Sequence, residues 1–316
     1  MTTPDALPRG IVTPLVTFLT PDGGPDSAAM SALVDYQLDN GIHGLLAVGS
    51  TGELGNLTAE QRVRTIEIVA AAAAGRAPVW AGVVGLGTTD AVRAAEQAVA
   101  AGADALLVLP PMFFDSSDAE LERHFTLVAE AVDVPLVAYD VPPRTPRKIP
   151  SSVIASLAAS GVLRGVKDSS GDLTAGRLTV EATRGVEGFR CYIGSEITMD
   201  AAFTLGFDGI VPGFANVLPR PAVEVFEAHG SADAVAALAA QRRFLDLFEI
   251  LRIALPGAGG PAAAVNALKV GSALALGLPT PSISAPMVQP SEDFVRAVAA
   301  VVEPLLAATA APAAKA

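Results

Sequence analysis

The sequence has one cysteine, three histidines and fewer basic than acidic residues. A single cysteine excludes an intramolecular disulfide, and the apolar, strand-like surroundings of Cys191 predict a buried, inert thiol. The formal net charge of −12 excludes the basic stripe that a nucleic-acid partner requires. His43, His124 and His229 are scattered and lack metal-ligand spacing, so we predict no metal site.

Long apolar runs are also missing. No uninterrupted stretch is long enough to span a bilayer, so we predict no membrane partner. Residues 1–5 lack a basic region followed by an apolar one, so we predict no secretory leader. With the single cysteine, these features favour a cytoplasmic protein.

The chain does contain a repeated pattern, in which a helical stretch ends at a glycine and an apolar strand follows a few residues later. Continuous apolar strands of this kind are typical of a parallel sheet buried on both faces. Their spacing of about thirty residues fits βαβ units. Eight units predict an α/β fold, a (β/α)₈ TIM barrel, with an open doubly wound sheet as the alternative. The predicted strands are residues 11–18, 44–48, 78–84, 105–109, 135–139, 163–167, 190–194 and 209–211.

Beyond about His229 the strand pattern stops. Residues 232–255, 261–276 and 291–308 are predicted to be helices, and residues 310–316 a disordered tail. We therefore expect two domains. Residues 1–230 would form the barrel with the active site, and residues 231–316 a C-terminal helical domain.

Lys167 stands at the end of the predicted sixth strand, directly after the mostly apolar residues 162–166. Such a strand would carry its side chain to the rim of an apolar core, where burial disfavours the ammonium form. A neutral lysine amine can attack a carbonyl and form a Schiff base. The alternative is a partly exposed lysine that pairs with Asp168.

Polar residues follow several other predicted strands, at the end of a barrel where active sites lie. Gly49, Ser50 and Thr51 offer hydroxyl and backbone N–H groups to a carboxylate, although a plain tight turn would look the same. Tyr139 ends the fifth strand, and its phenol could transfer protons or simply pack. Arg144 could bind a second carboxylate bidentately or lie on the surface.

Three motifs together carry a resemblance to a known family. They are Gly-Ser-Thr-Gly-Glu at 49–53, Tyr-Asp-Val-Pro at 139–142 followed by Arg144 and Thr145, and Gly-Val-Lys-Asp at 165–168. In order and spacing they resemble the dihydrodipicolinate synthase / N-acetylneuraminate lyase superfamily of class I aldolases. The similarity runs from about Arg9 to the helical extension.

This resemblance implies a (β/α)₈ barrel with a C-terminal helical domain, assembled as a homo-oligomer, a tetramer or a dimer. It implies that Lys167 forms an imine with pyruvate or another 2-keto acid. A protonated imine is an electron sink, so the neighbouring carbon–carbon bond can break or form through an enamine. No cofactor is expected beyond this covalent imine.

The resemblance also assigns roles to other residues. Tyr139 would be the proton-transfer phenol, and Ser50 and Thr51 would hold the keto-acid carboxylate. Thr51 is expected to be catalytic together with Lys167 and Tyr139. Gly194 and Val211 fall where the family lines the pyruvate pocket.

The chain departs from the family pattern after the fourth strand. Synthases of the family usually have Pro-Tyr-Tyr there, and the second tyrosine reaches a neighbouring subunit's site to complete a proton relay. Here Pro111 is followed by Met112 and Phe113. Phenylalanine has no hydroxyl, so that relay cannot operate in the same way.

Other departures leave the substrate open. Asp140 replaces the usual asparagine, and Pro146 stands where a glycine is normal, whereas Arg144 is typical of the synthases. The leading hypothesis is a Schiff-base lyase or aldolase for pyruvate and an aldehyde, acting on a 2-keto-3-deoxy sugar acid or a similar 2-keto acid. The alternatives are 4-hydroxy-tetrahydrodipicolinate synthase, which joins pyruvate to aspartate semialdehyde, a keto-deoxy acid dehydratase, and a non-catalytic keto-acid-binding barrel.

Overall fold

A computed structural model describes residues 6–310, and within them eight parallel strands close into a barrel in chain order. The strands are β1 Gly10–Pro14, β2 Gly44–Ala47, β3 Val79–Val83, β4 Ala105–Val108, β5 Leu136–Asp140, β6 Gly165–Asp168, β7 Arg190–Ile193 and β8 Gly209–Ile210. Hydrogen bonds between β1 and β8 close the ring. The predicted barrel is therefore confirmed, and the open sheet is wrong.

The strands are buried almost throughout, as two-sided burial of a parallel sheet requires. The first strand is shorter than predicted and ends at Pro14 rather than at residue 18. Beyond Leu15 the backbone leaves its neighbouring strand, because its donors find side-chain acceptors instead. The Val16 N–H donates to Oδ1 of Asn216 at 2.9 Å.

Helices alternate with the strands along the barrel. They are α1 Ser27–Asp39, α2 Ala59–Ala73, α3 Thr88–Ala100, α4 Asp118–Ala129, α5 Ser151–Ala159, α6 Leu173–Ala182, α7 Met199–Thr204 and α8 Pro219–Gly230. Capping boxes begin α2 and α4, formed by Thr58 with Gln61 and by Ser117 with Glu120. The glycines predicted to follow helices, such as Gly41 (φ +83°), adopt the left-handed conformation.

Cys191, predicted to be a buried and inert thiol, is buried in the fold, and so is His124. Burial raises the pKa of the Cys191 thiol to about 12, which keeps it protonated and unreactive. His124 lies on the buried face of α4, and its ring nitrogens are each 3.0 Å from a polar atom, the Thr88 hydroxyl and the Leu109 carbonyl.

The C-terminal part is helical, with α9 Ala234–Asp246, α10 Gly260–Ala275 and α11 Glu292–Ala310. The helix predicted over residues 232–255 continues beyond α9 only as the 3₁₀ segment Leu247–Arg252, before the Pro-Gly-rich residues 256–260.

None of the described helices is long and apolar enough to cross a membrane. The domain division at 230/231 stays a prediction. Residues 1–5 and 311–316, which carry the leader prediction and most of the tail prediction, lie outside the described residues.

One buried ion pair connects the C-terminal helices to the loop that follows β2. Lys269 in α10 places Nζ 2.5 Å from Oε1 of Glu53, and both side chains are fully buried. The other carboxylate oxygen, Oε2, accepts the backbone N–H of Ser284 at 2.8 Å. A buried charge is stable only when it is paired and hydrogen-bonded, so removal of either partner leaves an uncompensated charge in the interior.

Lys269→Met should therefore lower the free energy of unfolding by about 3–5 kcal/mol, because it leaves the Glu53 carboxylate buried without a cation. Glu53→Gln combined with Lys269→Met removes both charges, and we expect it to recover part of the loss. Arg252→Met is the control, since its exposed pair with Glu249 contributes less than about 1 kcal/mol. Guanidinium unfolding checks this, and equal losses in the single and double variants would contradict it.

Candidate active site

The loop after β2 leaves the barrel in a strained conformation. Val48 and Glu53 at its two ends have positive φ values of 47° and 63°, which are unfavourable for residues with a side chain and most of all for a β-branched valine. On β3, Gly82 gives the loop room, because a Cβ there would lie 2.3 Å from the Val48 carbonyl oxygen. Such strain persists only where the surroundings impose it, and it is found mainly at functional sites. The loop carries Ser50 and Thr51.

Lys167 and Tyr139 form the centre of the site. They lie opposite each other in the parallel register of β5 and β6. Both side chains are only 4% exposed, and Lys167 Nζ lies 4.3 Å from the centre of the Tyr139 ring. Ser50 Oγ comes within 3.3 Å of the Tyr139 hydroxyl. The structure thus brings an amine, a phenol and an alcohol together at the carboxyl ends of the strands.

The electrostatic surroundings change the acidity of the Tyr139 phenol. Burial alone would raise its pKa, but the positive charge of Lys167, hydrogen bonds with Ser50 and Ser169 and the charge of Arg144 together lower it to about 8. A free tyrosine has a pKa near 10. Tyr139 is therefore able to exchange a proton near neutral pH.

Gly194 lies against the lysine side chain. A Cβ at this position would be 3.4 Å from Lys167 Cε and only 2.2 Å from the hydroxyl oxygen of Ser169, so glycine leaves space for both. Ser169 was not among the residues predicted from the sequence. The only signal was its position two residues after Lys167, where a hydroxyl at the strand end could reach a neighbouring strand.

Glu196 is a second residue without a predicted role. Its Oε2 accepts the backbone N–H of Phe214 at 2.8 Å. Burial raises the pKa of this carboxyl to about 7, although the N–H groups of Phe214 and Gly213 and the charge of Lys167 act in the opposite direction. Glu196 lies three residues after β7, and its contacts have no short-range signal in the sequence.

The remaining predicted residues lie in the segments that follow β2 and β8. Thr51 Oγ1 would be 3.5 Å from a Cβ at Gly213, three residues after β8. Gly49 is buried, and its carbonyl accepts the Leu54 N–H at 3.2 Å. Val211 is buried directly after β8, where its N–H donates to the Ile193 carbonyl at 2.8 Å.

A cavity of about 370 Å³ opens beside Ser50. Arg144 lies at its exposed edge, and its guanidinium forms no ion pair with another described residue. Met112 lines the cavity, whereas Phe113 and Phe114 are 68% and 76% exposed and contact each other edge to face.

Behind the reactive pair, three charged side chains form a cluster. Asp140 and Asp168 follow Tyr139 and Lys167 in the strands and lie opposite each other in the register. Lys148 Nζ bonds to Oδ2 of Asp140 and lies 3.2 Å from Oδ2 of Asp168. Burial raises the pKa of Asp140 while the Lys148 contact works against that shift. Asp140, which replaces the asparagine usual in the family, is thus paired with the ammonium group of Lys148.

Within residues 6–310, no three His, Cys, Asp or Glu side chains are grouped so that they could hold a metal ion. The chemistry available at the rim is that of an amine beside an acidified phenol, with hydroxyls nearby. This combination suits imine formation with a carbonyl compound.

Comparison with known families gives one match over nearly the whole chain. The model described as "Dihydrodipicolinate synthetase family" matches residues 7–304. The chain is 35% identical over 235 residues to a 4-hydroxy-tetrahydrodipicolinate synthase from Methylococcus capsulatus, covering 74% of this chain and 80% of the relative. It is 36% identical over 242 residues to the synthase of that name from Acidobacterium capsulatum, covering 76% and 80%.

Solved structures agree with these sequence matches. A pyruvate complex of YagE, a prophage protein of the dihydrodipicolinic acid synthase family from E. coli K12, superimposes with a TM-score of 0.86. It is 26% identical, and the alignment covers 94% of this chain and 98% of that one.

Lys148→Met should destabilise the protein by about 1–3 kcal/mol, because it leaves two largely buried carboxylates facing each other without a cation. Burial, with the negative charge of Asp168 beside it, raises the folded-state pKa of Asp140, so the loss should grow as pH rises through that raised value. Thermal unfolding at pH 5 and pH 8 measures this. Adding Asp140→Asn removes one of the charges and should restore stability, and a pH-independent loss would contradict the account.

Proposed function

The chain belongs to the dihydrodipicolinate synthetase family, whose members are lyases of the class I aldolase type that act on pyruvate, and on that premise we propose that Lys167 forms the imine with pyruvate. The reaction joins pyruvate to an aldehyde, or cleaves the corresponding 4-hydroxy-2-oxo acid. The observation that carries this proposal is the buried pair of Lys167 and Tyr139, with 4.3 Å between Nζ and the ring centre.

The steps follow from the groups at hand. Nζ of Lys167 attacks the keto carbon of pyruvate, and loss of water gives a protonated imine. Removal of a methyl proton then produces an enamine, whose carbon attacks the aldehyde carbon. The aldehyde oxygen takes a proton as the new carbon–carbon bond forms, and water releases the product from Lys167. All atoms and electrons balance without an oxidant, a reductant or a cofactor.

Tyr139 moves the protons in this proposal. Its phenolate takes a proton from the lysine ammonium, and its phenol returns a proton to the oxygen that leaves as water. The pKa of about 8 suits both directions, because a proton-transfer group works best when its pKa lies near the operating pH. Ser50 supports the phenol through the 3.3 Å contact between Oγ and the Tyr139 hydroxyl.

We propose that the loop after β2 holds the carboxylate of pyruvate. Ser50 and Thr51 supply hydroxyls, and the backbone from Gly49 onward supplies N–H groups. Gly194 and Val211 border the space around the bound keto acid. The absence of a Cβ at Gly194 leaves room beside Lys167 Cε.

We further propose that the protein is a homo-oligomer, a tetramer or a dimer. The exposed pair of Phe113 and Phe114 supports an interface, since large aromatic side chains in contact with each other are unusual on a free surface. The cytoplasmic location stays a prediction from the sequence.

A second candidate is 4-hydroxy-tetrahydrodipicolinate synthase. It is favoured by the names of the relatives and by Arg144, which suits the carboxylate of aspartate semialdehyde. Against it stands Phe113, which has no hydroxyl for a proton relay. The sugar-acid lyase and the dehydratase use the same imine and stay hypotheses, while family membership sets aside the non-catalytic barrel.

Borohydride reduction in the presence of pyruvate should attach one reduced pyruvyl group to Lys167. Peptide mass spectrometry distinguishes this site from Lys148, Lys269 and Lys315. Lys167→Arg keeps the positive charge but cannot form the imine, so it should lose the adduct and all turnover. An adduct on another lysine, or none on the folded protein, would overturn the proposal.

The rate of imine formation should rise about tenfold between pH 6 and pH 7 and level off above about pH 8. The reason is that the Tyr139 phenolate, the form that accepts the lysine proton, becomes dominant above its pKa of about 8. Tyr139→Phe should slow the step and remove the bend from the profile. Tyr36→Phe is the matched control, since burial raises the pKa of that phenol to about 12 and it bonds to the Val217 carbonyl. Rapid-quench borohydride trapping measures the rate, and an unchanged bend in Tyr139→Phe would contradict this assignment.

A further inference from the structure

The cavity of about 370 Å³ beside Ser50 adjoins the loop proposed to hold the keto acid. Ser50 touches the Tyr139 hydroxyl on one side and lines the cavity on the other. Ser50 thus connects the cavity to the Lys167–Tyr139 pair. What its walls are made of determines which aldehyde fits.

The walls are mostly apolar, and they come from five parts of the chain, one of which is the segment after β4 with Leu109 and Met112. Leu54 follows the strained loop, Val84 follows β3, and Val141 follows β5. The helical extension contributes Val265 from α10 and Met287 from the loop before α11. A ligand body in this cavity is thus surrounded largely by hydrocarbon.

The polar groups of the lining are few, and two of them are already engaged. Glu53 uses both carboxylate oxygens, one for Lys269 and one for the Ser284 N–H. Ser50 faces Tyr139. Arg144 and Asn56 are exposed at the cavity edge. A chain of hydroxyl groups held inside would find few partners among the described lining residues.

We propose that the second substrate is an aldehyde with an apolar substituent, aromatic or branched aliphatic, and that the enzyme makes or cleaves 4-hydroxy-2-oxo acids with such a group at C4. This rests on the proposed function of Lys167. The enamine carbon of pyruvate bonds to the aldehyde carbon, and the aldehyde oxygen becomes the C4 hydroxyl with a proton from Tyr139. Cleavage is the reverse and returns pyruvate and the aldehyde.

Discrimination against polar aldehydes follows from desolvation. A hydroxyl group moved from water into an apolar cavity without a partner loses its hydrogen bonds. An apolar substituent has none to lose and gains from leaving water. A single substrate group that does not match the polarity of its pocket changes kcat/KM by about tenfold to about a hundredfold.

The test compares four aldehydes with pyruvate at saturation. Benzaldehyde and 3-methylbutanal are the apolar pair, and D-glyceraldehyde and aspartate semialdehyde are the polar pair. Product formation followed by mass spectrometry gives kcat/KM for each aldehyde. We expect the better apolar aldehyde to exceed both polar ones at least tenfold. Borohydride trapping with pyruvate alone, run in parallel, tests the imine independently.

A pair of identical substitutions tests the cavity wall. Val265→Asn places an amide in the apolar wall and should lower kcat/KM for the apolar aldehydes about tenfold, with trapping by pyruvate unchanged. Val235→Asn is the matched control, because Val235 lies on the neighbouring helix α9 with 82% of its surface exposed. It should change neither quantity.

Each contrary result has a distinct meaning. Equal or greater kcat/KM for D-glyceraldehyde or aspartate semialdehyde, or turnover of none of the four aldehydes, overturns this inference while a positive trapping result leaves the imine proposal intact. Apolar-aldehyde turnover that Val265→Asn leaves unchanged overturns it as well. Absence of the pyruvate adduct overturns the imine proposal first, and this inference with it.

Discussion

The parallel register of β5 and β6 decides where the chemistry of this protein can lie. It sets Tyr139 opposite Lys167, and one residue later it sets Asp140 opposite Asp168. Because side chains alternate between the two faces of a strand, the first pair faces the reactive centre and the second faces the shell behind it. A slip of one residue in either strand would break both pairs and turn a carboxylate into the place of the amine or of the phenol. Lys148 stabilises the correct register from behind, since its ammonium contacts both carboxylates.

The barrel alone does not complete the site. The loop that carries Ser50 is held on its far side by Glu53, whose carboxylate depends on Lys269 and on the backbone of Ser284. The helical extension also supplies part of the cavity wall through Val265. The helical extension therefore contributes to both parts of the proposed site. It supports the loop proposed to hold the keto acid, and it shapes the space into which the aldehyde would enter.

The sequence predicted the barrel and the residues at its centre because those features have short-range signals. Glycines that end helices and the apolar strands after them repeat along the chain. Lys167 and Tyr139 stand at the ends of two such strands, and a barrel brings the ends of its strands to one rim. Contacts between distant side chains have no such signal. Glu53 was visible as part of a motif, but its partner lies 216 residues away in a helix with ordinary composition. Likewise, the substitution of Asp140 for asparagine was visible, whereas its pairing with Lys148 depends on the path of the loop between them.

The long separation between Glu53 and Lys269 has a consequence for the order of assembly on the ribosome. Chains fold from the N-terminus as they are synthesised, so the eight strands leave the ribosome before α10 does. Until then, the Glu53 carboxylate has no ammonium partner and favours water over the interior. The loop after β2 therefore reaches its final conformation only when the C-terminal helices have docked. In a growing or truncated chain the loop with Ser50 and Thr51 would lack this support, which couples completion of the proposed site to completion of translation.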